Sequence, residues 1–209
     1  MTGRLDPSDV SLRDFIEAVG SAEAAHGAVS TAAVAGGLGT SLLLMVAALP
    51  QTSSVADRAK LVEAATALTS VQQQLIETIE TETAVKLFTA RSMPQASEAQ
   101  RSERLAAIQV ALRASADVPL EVMRLCAQGL ALAAIVAGHG ARAASADVQL
   151  GVALLQAGFD GARSHVEGKL STFTDPAYVT SVVDEIGRLI GETTASTRVT
   201  ESLLKVPPA

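Results

Sequence analysis

With 209 residues, 48% of them hydrophobic, the chain is long enough for one sizeable core and short for two independent domains. A formal charge of −6, no Lys/Arg cluster and only 2% aromatic residues exclude a nucleic-acid partner, because phosphates need concentrated positive charge and single strands need stacking rings. The lone Cys126 excludes an intrachain disulfide, and the N-terminal MTGRLDPSDVSLRDF lacks the apolar run of a signal peptide, so a cytoplasmic location is expected.

The first predicted helix starts at Ser11, whose hydroxyl suits a cap, carries Leu12, Phe15, Ile16 and Val19 at helical spacing, and ends near Gly20. It leads into 33 residues, Ala24 to Ala56, that hold no Asp, Glu, Lys or Arg and one ionisable side chain, His26. A helix from about Ser30 to Leu49, closed by Pro50, is apolar on every side and belongs in a bilayer or in a protein core. Gly36, Gly37, Gly39, Thr40 and Ser41 suit close helix packing and leave only Leu42 to Leu49 strongly hydrophobic, against the roughly 20 residues a span needs. The core is the expected place, with no membrane, and Gly37→Leu is expected to overpack it.

A third helix is predicted over Val55 to Arg91, with Leu61, Ala65, Leu68, Leu75 and Ile79 as its stripe and Met93-Pro94 as its end. Ser97 and Gln100 have the spacing of a capping box for a fourth segment bearing Leu105, Ile108 and Leu112. Pro119 is expected to interrupt or kink it, before a helix from Leu120 to about Ala137 that Gly138-His139-Gly140 terminates. Two more helices follow, about Ala146 to Leu170 and about Pro176 to Leu204. No segment alternates long enough for a strand. The expected fold class is all-α, a single multi-helix bundle over residues 1–209 with its two least polar helices at the centre.

Three segments carry a resemblance. ADVPLEVMRLC, residues 116–126, is similar to an A-x-V-P-L-x-x-x-R-x-C motif; SLRDFIEAVGS followed by HGAVSTAAVAGGLGTSL resembles a short helix, a P-G-G-G-S loop and an A-G-A-L-G-rich helix; and residues 145–170 resemble S-D-A-G-V-A…G-A-x-x-N-V-x-x-N. These are patterns of the cyclodeaminase family, which includes the C-terminal domain of formiminotransferase-cyclodeaminase and bacterial methenyltetrahydrofolate cyclohydrolases. The resemblance implies a helical bundle, a homodimer with its site close to the subunit interface, and one-carbon chemistry on a methenyl or formimino tetrahydrofolate as substrate, with no redox cofactor.

Carried over residue by residue, the resemblance places His26-Gly27-Ala28-Val29-Ser30 at the glycine-rich loop, Glu80 at an acidic position, Gly138-His139 at a Gly-Asn pair, Asp147 at an Asp, and His165 and Lys169 at paired Asn positions. It implies Asp147, Glu80 and His165 for acid–base work, and His26, Gly27, Ser30, His139 and Lys169 for binding the folate or a pterin-like ligand. All three histidines fall on such positions. They read either as a metal-free functional cluster, as a zinc or non-haem iron site with Asp147 or Glu80, or as residues that merely fill vacated places. Glu80, with Ile76, Ala84 and Leu87 on its side of the helix, is either half-buried and a general acid or a solvated neighbour of Glu77 and Glu82. Asp147 equally suits a helix N-terminus, and Lys169 one turn after His165 equally suits a solvated helix end. Beside the folate reading stand a different small-molecule enzyme using the histidines and a catalytically silent homologue that binds a ligand or partner.

Overall fold

The computed structural model describes residues 11–21, 27–50, 55–91 and 101–205, with side chains except those of 55–56, 80–91, 101–109 and 111. Among the described residues six helices follow in order: α1 Leu12–Val19, α2 Ala28–Ala48, α3 Val55–Arg91, α4 Arg101–His139, α5 Ser145–Glu167 and α6 Pro176–Leu204. Short 3₁₀ turns at Arg142–Ala144 and Leu170–Thr172 flank α5. Among the described residues there is no strand.

Ser11 caps α1 as expected, its hydroxyl accepting from the Asp14 amide, and Asp175 caps α6 by accepting from Ala177 and Tyr178 ahead of a proline in the first turn. The expected capping box at Ser97 and Gln100 lies outside the described residues. The third and last helices have the bounds the sequence predicts.

The core is built where α2, α3, α4 and α5 meet, from Leu43, Val46, Leu61, Leu68, Leu75, Met123, Leu130 and Leu155. With so few aromatic residues, burial of branched aliphatic side chains supplies the driving force, and small residues let the backbones approach. The tightest seam joins α2 and α5 in antiparallel fashion. A methyl at Gly39 would lie 2.6 Å from the Gly151 carbonyl oxygen, and one at Gly158 would lie 2.7 Å from that of Ala32.

Two expectations are corrected. A methyl at Gly37 meets nothing within 4 Å, so the packing-critical glycines are its neighbours Gly36 and Gly39. Likewise α2 is not covered all round: α3, α4 and α5 hold one side of it, while Leu38 is 50% and Met45 45% exposed on the other.

Pro119 does not break its helix. It sits buried within α4, which runs unbroken from Arg101 to His139. A proline removes the hydrogen bond to the carbonyl four residues back, which here is Ser115. That carbonyl accepts from Lys169 Nζ at 2.7 Å instead. The orphaned acceptor is satisfied from another element, and the helix continues. Two further contacts hold the start of α6 on the same stretch of α4: Arg113 with Asp175 at 2.6 Å, and the Tyr178 hydroxyl donating to Asp117 at 2.9 Å.

Candidate functional site

The helix order divides the expected site residues between the two ends of the bundle. At one end lie the start of α2 and the finish of α5. Gly27 is the N-cap of α2 in an extended conformation, with no side-chain cap bond. Ser30, expected to face a ligand, is 0% exposed, so its hydroxyl belongs to the interior. Antiparallel register, set by the Gln72 amide donating to Ser41 Oγ at 2.6 Å and by Leu75 packing on Gly36, brings the Glu80 backbone level with the first turns of α2. His26 and the Glu80 side chain lie outside the described residues.

His165 is half-buried in the last turn of α5. The helix ends at Glu167, earlier than predicted, so Lys169 stands in the following turn rather than one helical turn along the same face. Its ammonium is held by the Ser115 carbonyl, a structural engagement that the expected ligand-binding role did not foresee.

The other end holds the finish of α4 and the start of α5. Asp147, half-buried in the first turn of α5, makes no side-chain hydrogen bond or ion pair among the described residues. His139 ends α4. Its Nδ1 lies 2.6 Å from Asp57 Oδ1, in the first turn of α3, and its Nε2 lies 3.4 Å from Lys60 Nζ one turn further on. A carboxylate is acceptor-only, so a neutral His139 carries its proton on Nδ1 and presents an Nε2 lone pair to the ammonium. Asp57 and Lys60 were missed by the sequence reading. Antiparallel packing of α3 on α4 puts the start of one beside the end of the other, and the break between the two predicted helices was the signal available.

The expected catalytic trio therefore does not form one site within a chain. At 1.5 Å per residue, about 27 Å of helix separates Asp147 from His165. The same length keeps His139 and His165 apart, so these two imidazoles do not converge. Among the described residues no group of three or more His, Cys, Asp or Glu is placed to hold a metal.

The apolar residues of the VPLEVMRLC segment serve packing, with Leu120, Val122, Met123, Leu125 and Cys126 in the core. Cys126 is 0% exposed with its sulfur against Gly36 and Gly158, and burial pushes its thiol pKa up to about 12. Arg124 binds both oxygens of Glu185 at 2.8 Å and Glu121 at 2.8 Å. The Glu185 bond holds the guanidinium charged and keeps the carboxyl below its usual range. This pair lines an open groove of about 530 Å³ between α4 and α6, floored by Ala127, Ala131 and Leu189.

A family model described as formiminotransferase-cyclodeaminase matches residues 11–188. The chain belongs to the formiminotransferase-cyclodeaminase family. It is 27% identical over 188 residues to methenyltetrahydrofolate cyclohydrolase of Methylorubrum extorquens, covering 87% of this chain and 89% of that protein. It is 25% identical over 195 residues to formimidoyltransferase-cyclodeaminase of Gallus gallus, covering 91% of this chain and 36% of the relative, so it spans about a third of that longer protein. The crystal structure of formiminotetrahydrofolate cyclodeaminase from Thermotoga maritima superposes with a TM-score of 0.84 at 17% identity, covering 96% of this chain and 98% of that one. The all-helical fold of this family member is thus the cyclodeaminase fold.

Proposed function

We propose that the chain acts on a one-carbon derivative of tetrahydrofolate, as a cyclohydrolase opening a methenyl bridge to a formyl group or a cyclodeaminase closing a formimino group with loss of ammonia. The observation that carries this reading is the family match over residues 11–188, supported by the bacterial cyclohydrolase, which aligns over nearly its whole length. Hydrolysis of the methenyl bridge trades a C–N bond for a C–O bond, and closure of the formimino group trades one C–N bond for another; both stay at one oxidation level, so they call on acid–base groups rather than a redox cofactor.

The protein is proposed to be a cytoplasmic homodimer. Two ends that lie a helix length apart in one chain come together when two copies pack with their helices antiparallel across a two-fold axis. The site is then shared: His139 and Asp147 from one subunit, and Gly27, Glu80 and His165 from the other. Ser30 and Lys169 support that second end from within.

Loss of methenyltetrahydrofolate, followed by its ultraviolet absorbance, tests the reaction. A rate above the uncatalysed background is expected, and His139→Ala and His165→Ala are each expected to abolish most of it. Mixing the two inactive variants is expected to restore about a quarter of the wild-type rate, because half of the re-formed dimers carry one intact site. Absence of any enzymatic rate would leave a ligand-binding homologue, and absence of restoration would place the site within one chain.

A further inference from the structure

The cluster at the α3–α4 end has a defined chemistry of its own. Asp57, His139 and Lys60 come from positions 82 and 79 residues apart in the sequence, and the side chains of His139 and Asp57 are 26% and 27% exposed. They are buried enough to hold their geometry and open enough for a ligand to reach. We propose that they form a proton-transfer relay: Asp57 is a positioning residue that fixes the Nδ1–H form of His139, Nε2 is the atom that takes a proton from water, and Lys60 delivers a proton to the departing nitrogen.

The inference rests on the folate reading above, and its proton inventory closes. Water adds to the amidinium carbon and gives one proton to His139 Nε2, leaving a neutral carbinolamine. The Lys60 ammonium, free to turn because it lies on the exposed side of α3, then protonates the nitrogen as its C–N bond breaks. The carbinol O–H proton is lost to solvent as the formyl C=O forms. His139 returns its Nε2 proton to Lys60 across their 3.4 Å contact, and both groups regain their starting states. Overall one water is consumed and one proton released, as hydrolysis of a cationic methenyl bridge requires. Without Asp57 the imidazole would be free to place its proton on Nε2, where it can accept nothing.

Nitrogen-15 NMR of the full-length protein, with its three histidines labelled, reads the tautomer directly. In the wild type near neutral pH, His139 is expected to show a protonated Nδ1 and a bare Nε2. In Asp57→Ala a substantial Nε2–H population is expected, while Asp57→Asn, which keeps an acceptor oxygen, stays close to wild type. A wild-type His139 protonated on Nε2, alone or together with Nδ1, would overturn the proposal. The kinetic arm uses methenyltetrahydrofolate: His139→Ala, Lys60→Met and Asp57→Ala are expected to lower kcat by roughly 10- to 1,000-fold with KM nearly unchanged, and Asp57→Asn by less. An active wild type with an equally active His139→Ala variant sinks the relay but leaves the folate reading standing. An inactive wild type sinks the folate reading, and the NMR result then still decides what Asp57 does.

Discussion

Lys169 shows how a single polar residue can be claimed by the fold. Read along the sequence it is a cation near a helix end, available for a ligand; in the structure its ammonium replaces the amide that Pro119 lacks, at the Ser115 carbonyl. If that is its contribution, Lys169→Met costs about 1–2 kcal/mol of stability by leaving a polar group unpaired. In a Pro119→Ala background, where the new backbone N–H reaches Ser115, the same change costs less than half as much. Thermal melts of the four proteins by far-ultraviolet circular dichroism close this double-mutant cycle, and equal costs in both backgrounds would remove the link. Cys126 gives a second residue-scale prediction. Its thiol is raised from 9.0 to about 12 by burial, so the unfolded chain ionises before the folded one. The contribution to stability is complete below about pH 9 and is lost as pH rises toward 12, with a limiting slope of about 1.4 kcal/mol per pH unit. Urea unfolding across that window should show a shallower alkaline loss for Cys126→Ala than for wild type, and an unchanged slope would contradict burial of the thiol.

At the scale of elements, α2 and α5 depend on which glycines face each other. A Cβ at Gly39 collides with backbone of α5, which cannot retreat as a flexible side chain can, whereas Gly37 has open space beside it. Gly39→Ala is therefore expected to destabilise by about 1–3 kcal/mol through overpacking, and Gly37→Ala to stabilise by up to about 1 kcal/mol through helix propensity. Melting temperatures that move in the same direction for both would refute the seam. This contrast also marks what the sequence shows and what it hides. Apolar spacing, the Ser11 cap and the punctuation at Pro50, Pro94 and Pro176 reveal where helices lie, because those signals act within a few residues of themselves. Which of two adjacent glycines touches a neighbour depends on the rotation of α2 against α5. The survival of α4 through Pro119 depends on a lysine fifty residues downstream. The Asp57–His139 contact is hidden for the same reason: its two members stand 82 residues apart in the sequence.

At the scale of the whole molecule, the outer side of α2 is an apolar surface without a visible reason in the single chain. From Ala28 to Ala48, α2 carries no charged residue, yet Leu38 and Met45 stand half-exposed on its outer side, with Val34, Leu42 and Leu49 partly covered beside them. On a chain of net charge −6, two copies repel wherever their charged faces meet. The outer side of α2 is a face through which they can meet without that cost. The residues run Val34, Leu38, Leu42, Met45 and Leu49, nearly the same read in either direction, which suits the self-complementary contact of a two-fold axis. Crossing α2 near its middle, such an axis would also set the His139 end of each subunit against the His165 end of the other, so that the proposed assembly and the proposed activity would stand on one contact. The expected result is a dimer in sedimentation equilibrium at micromolar concentration and a monomer for Leu38→Asp, with helicity by circular dichroism retained because Leu38 has no place in the core. The variant should lose methenyltetrahydrofolate hydrolysis together with dimerisation. A Leu38→Asp protein that stays dimeric would move the interface elsewhere, and a monomeric protein that stays active would show that the site is complete in one chain.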